Sequence, residues 1–389
     1  MGNAASLESG TSSDNRLCWI ELFEAENVPS PRNSQGWCSH QGRLYVYGGR
    51  SPEGRLNDLW ELDCETCAWT CLKPSDAPGN PTIRSGSVLV HDGDHTLYVG
   101  FGYGVLPVAH NLMYRFDLYS REWSGPLTAA TGGGIMPAPR INFRGWYYGD
   151  CVWIFGGSPD SALCLGDLWK FDTRTFVWKQ VVGKGDAPPP CQWCVCEVWK
   201  GPLVVFFGGH DSSNTPCNVF HLFNCETLEW TNMMAESPEP IFNKVLYSEE
   251  QLSLHPEYEQ NQPPTWKSLL CSSPGSVMFQ DSLILWGGWD GKEHRSTMWS
   301  VNLKTREWTR VQPKTTVSLS VPSAKCSLSV VMSQDSVLYL FGGWNGWQQM
   351  NDLHAVSFSF PSLQRLCAEF ISKHLPESMP VVERLYEMK

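Results

Sequence analysis

A short run of aromatic or aliphatic residues ending in glycine recurs six times along the chain. The runs are Leu44-Tyr-Val-Tyr-Gly-Gly49, Leu97-Tyr-Val-Gly-Phe-Gly102, Val152-Trp-Ile-Phe-Gly-Gly157, Val204-Val-Phe-Phe-Gly-Gly209, Leu283-Ile-Leu-Trp-Gly-Gly288 and Leu338-Tyr-Leu-Phe-Gly-Gly343. Each is short, rich in β-formers and stopped by glycine, which predicts a buried β-strand followed by a sharp turn. A second strand-like segment follows each: Asp58-Leu-Trp-Glu-Leu, Leu112-Met-Tyr-Arg-Phe-Asp, Asp167-Leu-Trp-Lys-Phe-Asp, Asn218-Val-Phe-His-Leu-Phe, Met298-Trp-Ser-Val-Asn and Asp352-Leu-His-Ala-Val. A tryptophan stands 20 or 21 residues after five of the glycines, at Trp69, Trp123, Trp178, Trp230 and Trp308. Each unit therefore predicts a four-stranded antiparallel sheet whose second strand ends at the glycines.

The units repeat every 52 to 55 residues except once, where 79 residues separate Gly209 from Gly288. This arrangement resembles the kelch repeat over residues 16–360. The resemblance implies an all-β fold, a six-bladed β-propeller. Its glycines are expected where the chain turns and neighbouring backbones approach closely, and its tryptophans on outer strands, packing blade on blade. The sixth unit has Leu363 where a tryptophan would stand, and the missing strand is found at Leu17-Cys-Trp19-Ile-Glu-Leu-Phe23. An N-terminal strand lent to the last blade would close the ring and remove its open sheet edges. The extra chain at 231–265 is rich in Pro, Glu, Asn and Gln, with a short helical stretch near 248–254. A loop of that length is either functional or disordered, and both readings stay open.

Composition agrees with this picture. The chain has 389 residues, 42% hydrophobic and 18% charged, enough to bury a large core. Its 34 Gly, 27 Pro and 19 Trp favour short strands and tight turns over helices. A net charge of −11 disfavours nucleic acid, whose phosphates need a basic face. There is no apolar stretch near the length of a bilayer span, and the first residues lack the apolar centre of a secretory signal, so an intracellular protein is expected. The 15 Cys would then be reduced thiols acting largely as small buried hydrophobes. Cys64-Glu-Thr-Cys67 and the set Cys191, Cys194 and Cys196 have metal-like spacing, but no second Cys or His pair follows at zinc-site distance. Structural thiols, no metal and no cofactor are expected. The ten His are scattered, and the chain has no nucleophile elbow or phosphate-binding loop, with Gly132-Gly-Gly134 only a turn, so catalysis by the chain alone is not expected.

Binding is expected where the loops after the glycines converge with the loops leading into each first strand, at one mouth of the central channel. After the glycines stand Arg50, Tyr103, Ser158, His210, Trp289 and Trp344, and before the first strands Arg84, Arg140, Arg144, Trp193 and Lys325. Arginines interleaved with Trp and Tyr would suit a peptide carrying a carboxylate or acidic side chain. Any one of them could equally cap a blade or stack on a neighbour.

Beyond Phe360 the period becomes helical, with Leu363, Leu366, Cys367, Phe370 and Ile371 on one stripe behind Ser362 as N-cap. That face could fold against the propeller. Its Ser362-Leu363, Cys367 and Ile371 also resemble the elongin-binding box of SOCS-box proteins, in which the Leu enters a pocket of elongin C and the thiol fills a small hole. Met379-Pro380 followed by Leu385 resembles the second half of that box, which contacts a cullin; Val382 replaces the second proline of the pattern. The resemblance implies elongin B/C and a cullin of the cullin-5 or cullin-2 type as partners, and a substrate receptor of a ubiquitin ligase that does no chemistry itself. The alternative is a kelch scaffold for cytoskeletal or signalling proteins, perhaps peripheral to a membrane. Met1-Gly2-Asn-Ala-Ala-Ser6 fits the N-myristoylation pattern at Gly2, and one acyl chain gives weak, reversible membrane binding.

Overall fold

The structure is a computed structural model that describes residues 19–22, 27–75, 77–104, 111–128, 135–160, 162–217, 219–235, 241–242, 269–311 and 321–358. Its strands form six sheets arranged as a six-bladed propeller. From the channel outward, blade 1 comprises Gly36–His40, Arg43–Ser51, Gly54–Asp63 and Ala68–Lys73, and blade 2 comprises Val88–His91, Thr96–Gly100, Met113–Asp117 and Glu122–Ser124. Blade 3 comprises Arg144–Tyr148, Cys151–Phe155, Leu168–Asp172 and Trp178–Val181. Blade 4 runs Val195–Lys200, Leu203–Phe207, Phe220–Asn224 and Glu229–Asn232, and blade 5 runs Gly275–Phe279, Ser282–Trp286, Met298–Asn302 and Glu307–Val311.

Blade 6 consists of Ser329–Met332, Val337–Trp344 and Gln349–Ser357, and its outermost strand is Trp19–Leu22 from the other end of the chain. The pairing is antiparallel, with Trp19 opposite Val356 and Leu22 opposite Leu353. The ring is thus closed as the sequence pattern predicts. Two blades depart from the expected four strands. Lys184–Gly185 adds a parallel fifth strand to blade 4, and Ile241–Phe242, from the long insertion, does the same for blade 5. Both are two residues long, below the length at which periodicity is visible in sequence.

The glycines explain how blades join. The second glycine of each pair donates its N–H to a carbonyl of the next blade: Gly49 to Arg84, Gly102 to Arg140, Gly157 to Cys191, Gly209 to Cys271, Gly288 to Lys325 and Gly343 to Arg32, at 2.9–3.1 Å. The position before it shares a left-handed backbone and is glycine in five blades and Phe101 (φ 60°) in blade 2. At Gly208 (φ +67°) a Cβ would lie 2.1 Å from the Cys271 carbonyl oxygen. Outside this seam, the outer-strand tryptophans of blades 1 to 5 each pack on an aromatic at or beside the preceding blade's glycines. The pairs are Trp69 with Phe341, Trp123 with Tyr47, Trp178 with Phe101, Trp230 with Phe155 and Trp308 with Phe207, with centroids 4.6–5.5 Å apart. Such pairs contribute about 0.5–1.5 kcal/mol each beyond their buried area.

The thirteen described cysteines are free thiols, and no group of three or more His, Cys, Asp or Glu among the described residues is placed to hold a metal. No described helix is long and apolar enough to cross a membrane. Gly2, most of the 231–265 insertion and the entire tail, including Ser362, Leu363, Cys367, Ile371, Met379, Pro380 and Leu385, lie outside the described residues.

Candidate functional site: the mouth of the channel

The residue after each glycine pair bridges back to the segment leading into its own blade's first strand. Arg50 pairs with Asn33, Tyr103 with Ser85, Ser158 with Ile141, His210 with Gln192, Trp289 with Ser272 and Trp344 with Cys326. The two loop sets therefore meet on one face, around the channel lined by the six inner strands.

Beside each bridge sits one residue with left-handed backbone: Ser34, Gly86, Asn142, Trp193, Ser273 and Ser327, with φ between 52° and 66°. They are tied to one another around the mouth by Gly86 N–H to Ser34 O, Trp193 N–H to Asn142 O, Ser273 N–H to Trp193 O and Ser327 N–H to Ser273 O, at 2.6–3.0 Å. Five of the six are Gly, Ser or Asn, small residues that suit this conformation. Trp193 is the exception. A bulky side chain held there costs about 1–3 kcal/mol and is retained where the surroundings, or a function, require it. Its ring is half-buried and meets His210 edge-on at 4.7 Å, and His210 in turn faces Trp289 at 6.3 Å. Blades 4 and 5 thus present the half-buried rings of Trp193 and Trp289, whereas His210, expected at the mouth, is only 2% exposed and serves as a buried ring in contact with both, its pKa lowered by burial so that the neutral form is favoured.

The arc continues on blade 6. Trp344 is half-buried, and Trp347, in the loop after it, is 91% exposed. Next around the ring, blade 1 presents cations. Arg50 is exposed, and the Arg55 guanidinium lies 4.5 Å over the Tyr103 ring while donating to Ser85 Oγ at 3.2 Å. Arg55 and Trp347 escaped the sequence reading because they lie several residues beyond the glycines.

Three cations expected at the mouth are instead built into the blades. Arg140 is fully buried, bonded through both terminal nitrogens to Asp167 (2.7 and 2.8 Å) and to the Gly156 carbonyl (3.0 Å). Lys325 is buried against both oxygens of Asp352 at 2.7 and 2.8 Å. Arg84, with no Asp opposite, donates to the carbonyls of Phe101 and Thr82 and to Thr82 Oγ1, its guanidinium over Tyr114. Arg32, which the sequence reading passed over, repeats the Arg140 arrangement with Asp58 and the Gly48 carbonyl. Arg32, Arg140 and Lys325 tie the segments entering blades 1, 3 and 6 to an aspartate at the third strand of the same blade, and Arg84 is spent on backbone carbonyls of blade 2, so Arg84, Arg140 and Lys325 do not face a ligand. Ser158 is likewise fully buried.

Arg144 lies deeper, at the start of the inner strand of blade 3. It reaches over Trp37 of blade 1, 4.0 Å from the ring centroid, and lines a channel cavity of about 360 Å³ with Trp193, Gln35, Ser87, Cys194 and Glu197. Burial raises the Glu197 carboxyl to about 7, and it accepts a 2.6 Å hydrogen bond from Ser276 Oγ.

A ring of glycine-paired blades with this seam has a family counterpart. The family described as the KLHDC2/KLHL20/DRC7 Kelch-repeats domain matches residues 10–131 and 81–247, more than half of the chain. The chain belongs to the kelch-repeat family. Among relatives of this kelch propeller, Kelch domain-containing protein 3 of Bos taurus is 24% identical over 362 residues, covering 84% of this chain and 83% of that protein. Acyl-CoA-binding domain-containing protein 5 of Arabidopsis thaliana is 25% identical over 340 residues, 84% of this chain and 47% of that protein. Kelch domain-containing protein 1 of Mus musculus is 27% identical over 245 residues, 57% of this chain and 59% of that protein. The kelch chain spans about half the length of the plant relatives that it matches.

Proposed function

We propose that this kelch propeller is the substrate-recognition subunit of an elongin–cullin ubiquitin ligase, a non-catalytic adaptor that grips a short segment of a target protein at its mouth. The observation that carries the recognition half is Trp193, the one bulky residue in the left-handed ring, beside His210 and Trp289. An aromatic arc next to exposed Arg50 and half-buried Arg55 suits a peptide with an apolar residue near a carboxylate, through aromatic anchoring and forked hydrogen bonds. Kelch relatives of similar length support protein binding as the general role.

The recruitment half rests on the tail sequence, with Ser362, Leu363, Cys367 and Ile371 for elongin C and Met379, Pro380 and Leu385 for the cullin. Rate enhancement would come from holding the target near a transferase carried by other subunits. Acylation at Gly2 would add weak membrane association to a cytoplasmic protein. The test is binding of purified elongin B/C to the full chain and to the double variant Leu363→Ala/Cys367→Ala. Loss of binding in the variant supports the assignment, and binding that survives both changes overturns it.

A further inference from the structure

In blades 2 to 5 the second strand stops short of, or at, the glycine turn, but in blade 1 strands Arg43–Ser51 and Gly54–Asp63 run on past it to a turn at Pro52 and Glu53. This extension sets Arg50 directly opposite Arg55 on the mouth side of the hairpin. Residues in that register have Cβ atoms about 4.5–5.5 Å apart, and like charges there repel. At the far end of the same hairpin the cation is neutralised, with Arg43 paired to Glu61 and Asp63. At the mouth end it is not: neither Arg50 nor Arg55 has an ion pair among the described residues, Glu53 included. Residues 105–110, which follow Tyr103, contain no Asp or Glu. The Arg55 Nε donates to Ser85 Oγ at 3.2 Å and its guanidinium rests on the Tyr103 ring at 4.5 Å, which fixes its plane and leaves both terminal nitrogens free to donate.

Two opposed cations are relieved by an anion that accepts from both. A carboxylate fills one guanidinium fork and cancels one charge. A phosphate monoester carries close to two negative charges at neutral pH and three acceptor oxygens, enough for both forks. Half-buried Ser85, whose Oγ accepts from Arg55, keeps its own O–H to donate to the same group. We infer that Arg50 and Arg55 form a recognition site for a phosphorylated serine or threonine of the target segment. The inference rests on the mouth being the target site, and it sharpens the anion held at the rim of blade 1 from a carboxylate to a phosphate. A phosphorylated side chain fits better than a lipid headgroup, because a chain of net charge −11 with exposed Glu53 and Asp160 on this side is repelled by an anionic bilayer. Target capture then follows phosphoryl transfer to a target hydroxyl, and the class of reaction that supplies the ligand is that of a protein kinase.

The probe is N-acetyl-O-phosphoserine N-methylamide, titrated into the purified full-length chain by calorimetry at constant ionic strength, beside its serine and glutamate counterparts and inorganic phosphate. The phosphoserine probe should bind saturably with Kd of about 1 mM or tighter. The glutamate probe should bind about tenfold more weakly or worse, and inorganic phosphate should compete. Binding should weaken as pH falls through about 6, where the ester loses its second charge. Arg50→Gln and Arg55→Gln should each weaken it by about tenfold or more. Arg50 is exposed, so Arg50→Gln should leave the melting temperature unchanged or slightly higher, the repulsion across the hairpin being gone. No saturable binding, equal binding of the glutamate probe, or binding untouched by both substitutions would each overturn the site. So would arginine-dependent binding to phosphatidylcholine vesicles containing phosphatidylinositol phosphate when the free probe does not bind, which would reassign the pair to a lipid surface. The probe has no apolar anchor, so its binding should survive Trp193→Asn. Target capture from cells without probe binding would sink the phosphate site alone, and probe binding without target capture would sink the reading of the mouth alone.

Discussion

Replacing Arg140 with Met separates a structural role from a ligand-binding one. In the native ring the guanidinium is fully buried and makes four hydrogen bonds: two to Asp167, one to the Gly156 carbonyl and one, through Nε, to the Ala138 carbonyl at 3.1 Å. Burial pushes the Asp167 carboxyl upward, but its bonds to Arg140 and to the Trp169 indole N–H outweigh this and hold it below the usual carboxylate range. Methionine keeps most of the volume yet leaves Asp167 with an uncompensated charge and Gly156 with an unpaired carbonyl. Breaking a buried pair in this way costs about 3–5 kcal/mol. Replacing both partners with apolar residues, Arg140→Met with Asp167→Leu, should recover much of the loss, because the orphaned charge is gone. Chemical denaturation followed by tryptophan fluorescence reads both variants, and the outer-strand Trp178 of blade 3 reports its local packing. A loss below about 1 kcal/mol for the single variant, or costs that add in the double variant, would refute the reasoning and return Arg140 to the ligand-facing set.

Four further outcomes are expected. Trp193→Asn, which suits the left-handed backbone, should leave thermal stability unchanged or slightly higher by about 1 kcal/mol, while target capture is lost; a large drop in melting temperature would mean that Trp193 is structural. Gly208→Ala should destabilise strongly, since its Cβ would meet the Cys271 carbonyl at 2.1 Å, and an unchanged melt would contradict the blade seam. Deleting residues 1–23 should bare the edge of Gln349–Ser357 and promote aggregation, visible by light scattering. Stability should also depend on two buried histidines: burial lowers His91 and His221 to about 4, with His40, stacked 4.1 Å from His91, lowering His91 further. Their contribution is complete above the unfolded value of about 6.5 and is lost as pH falls through about 4; a double His91→Gln/His221→Gln variant should flatten that window in melts taken from pH 7 to 4.

Much of the ring was legible in the sequence because its signals are local. Six glycine-terminated runs, tryptophans at fixed distance and an unpaired N-terminal strand specify blade number and closure without any long-range knowledge. The direction of a side chain is not local. Arg84, Arg140 and Lys325 stand where ligand-binding cations would stand, and only the path of their own blade's third strand shows that they turn inward. A signal was present nonetheless: Arg32, Arg140 and Lys325 are followed by Asp58, Asp167 and Asp352 at 26 or 27 residues, a spacing that marks internal pairs. The left-handed ring was hidden for a different reason. Ser34, Gly86, Asn142, Ser273 and Ser327 look like ordinary turn residues, and the strain at Trp193 becomes visible only once the six positions are superposed by the fold. Two-residue edge strands such as Lys184–Gly185 carry no periodicity at all.

The central claim is that the propeller delivers a target to a ligase through the chain beyond Phe360. It is tested most directly by affinity purification of the tagged full-length chain from cells beside a version truncated after Phe360, with bound proteins identified by mass spectrometry. The account predicts elongin B, elongin C and a cullin with the full-length chain alone, and target proteins with both. Elongins and cullin absent from both samples would contradict it and leave a kelch scaffold.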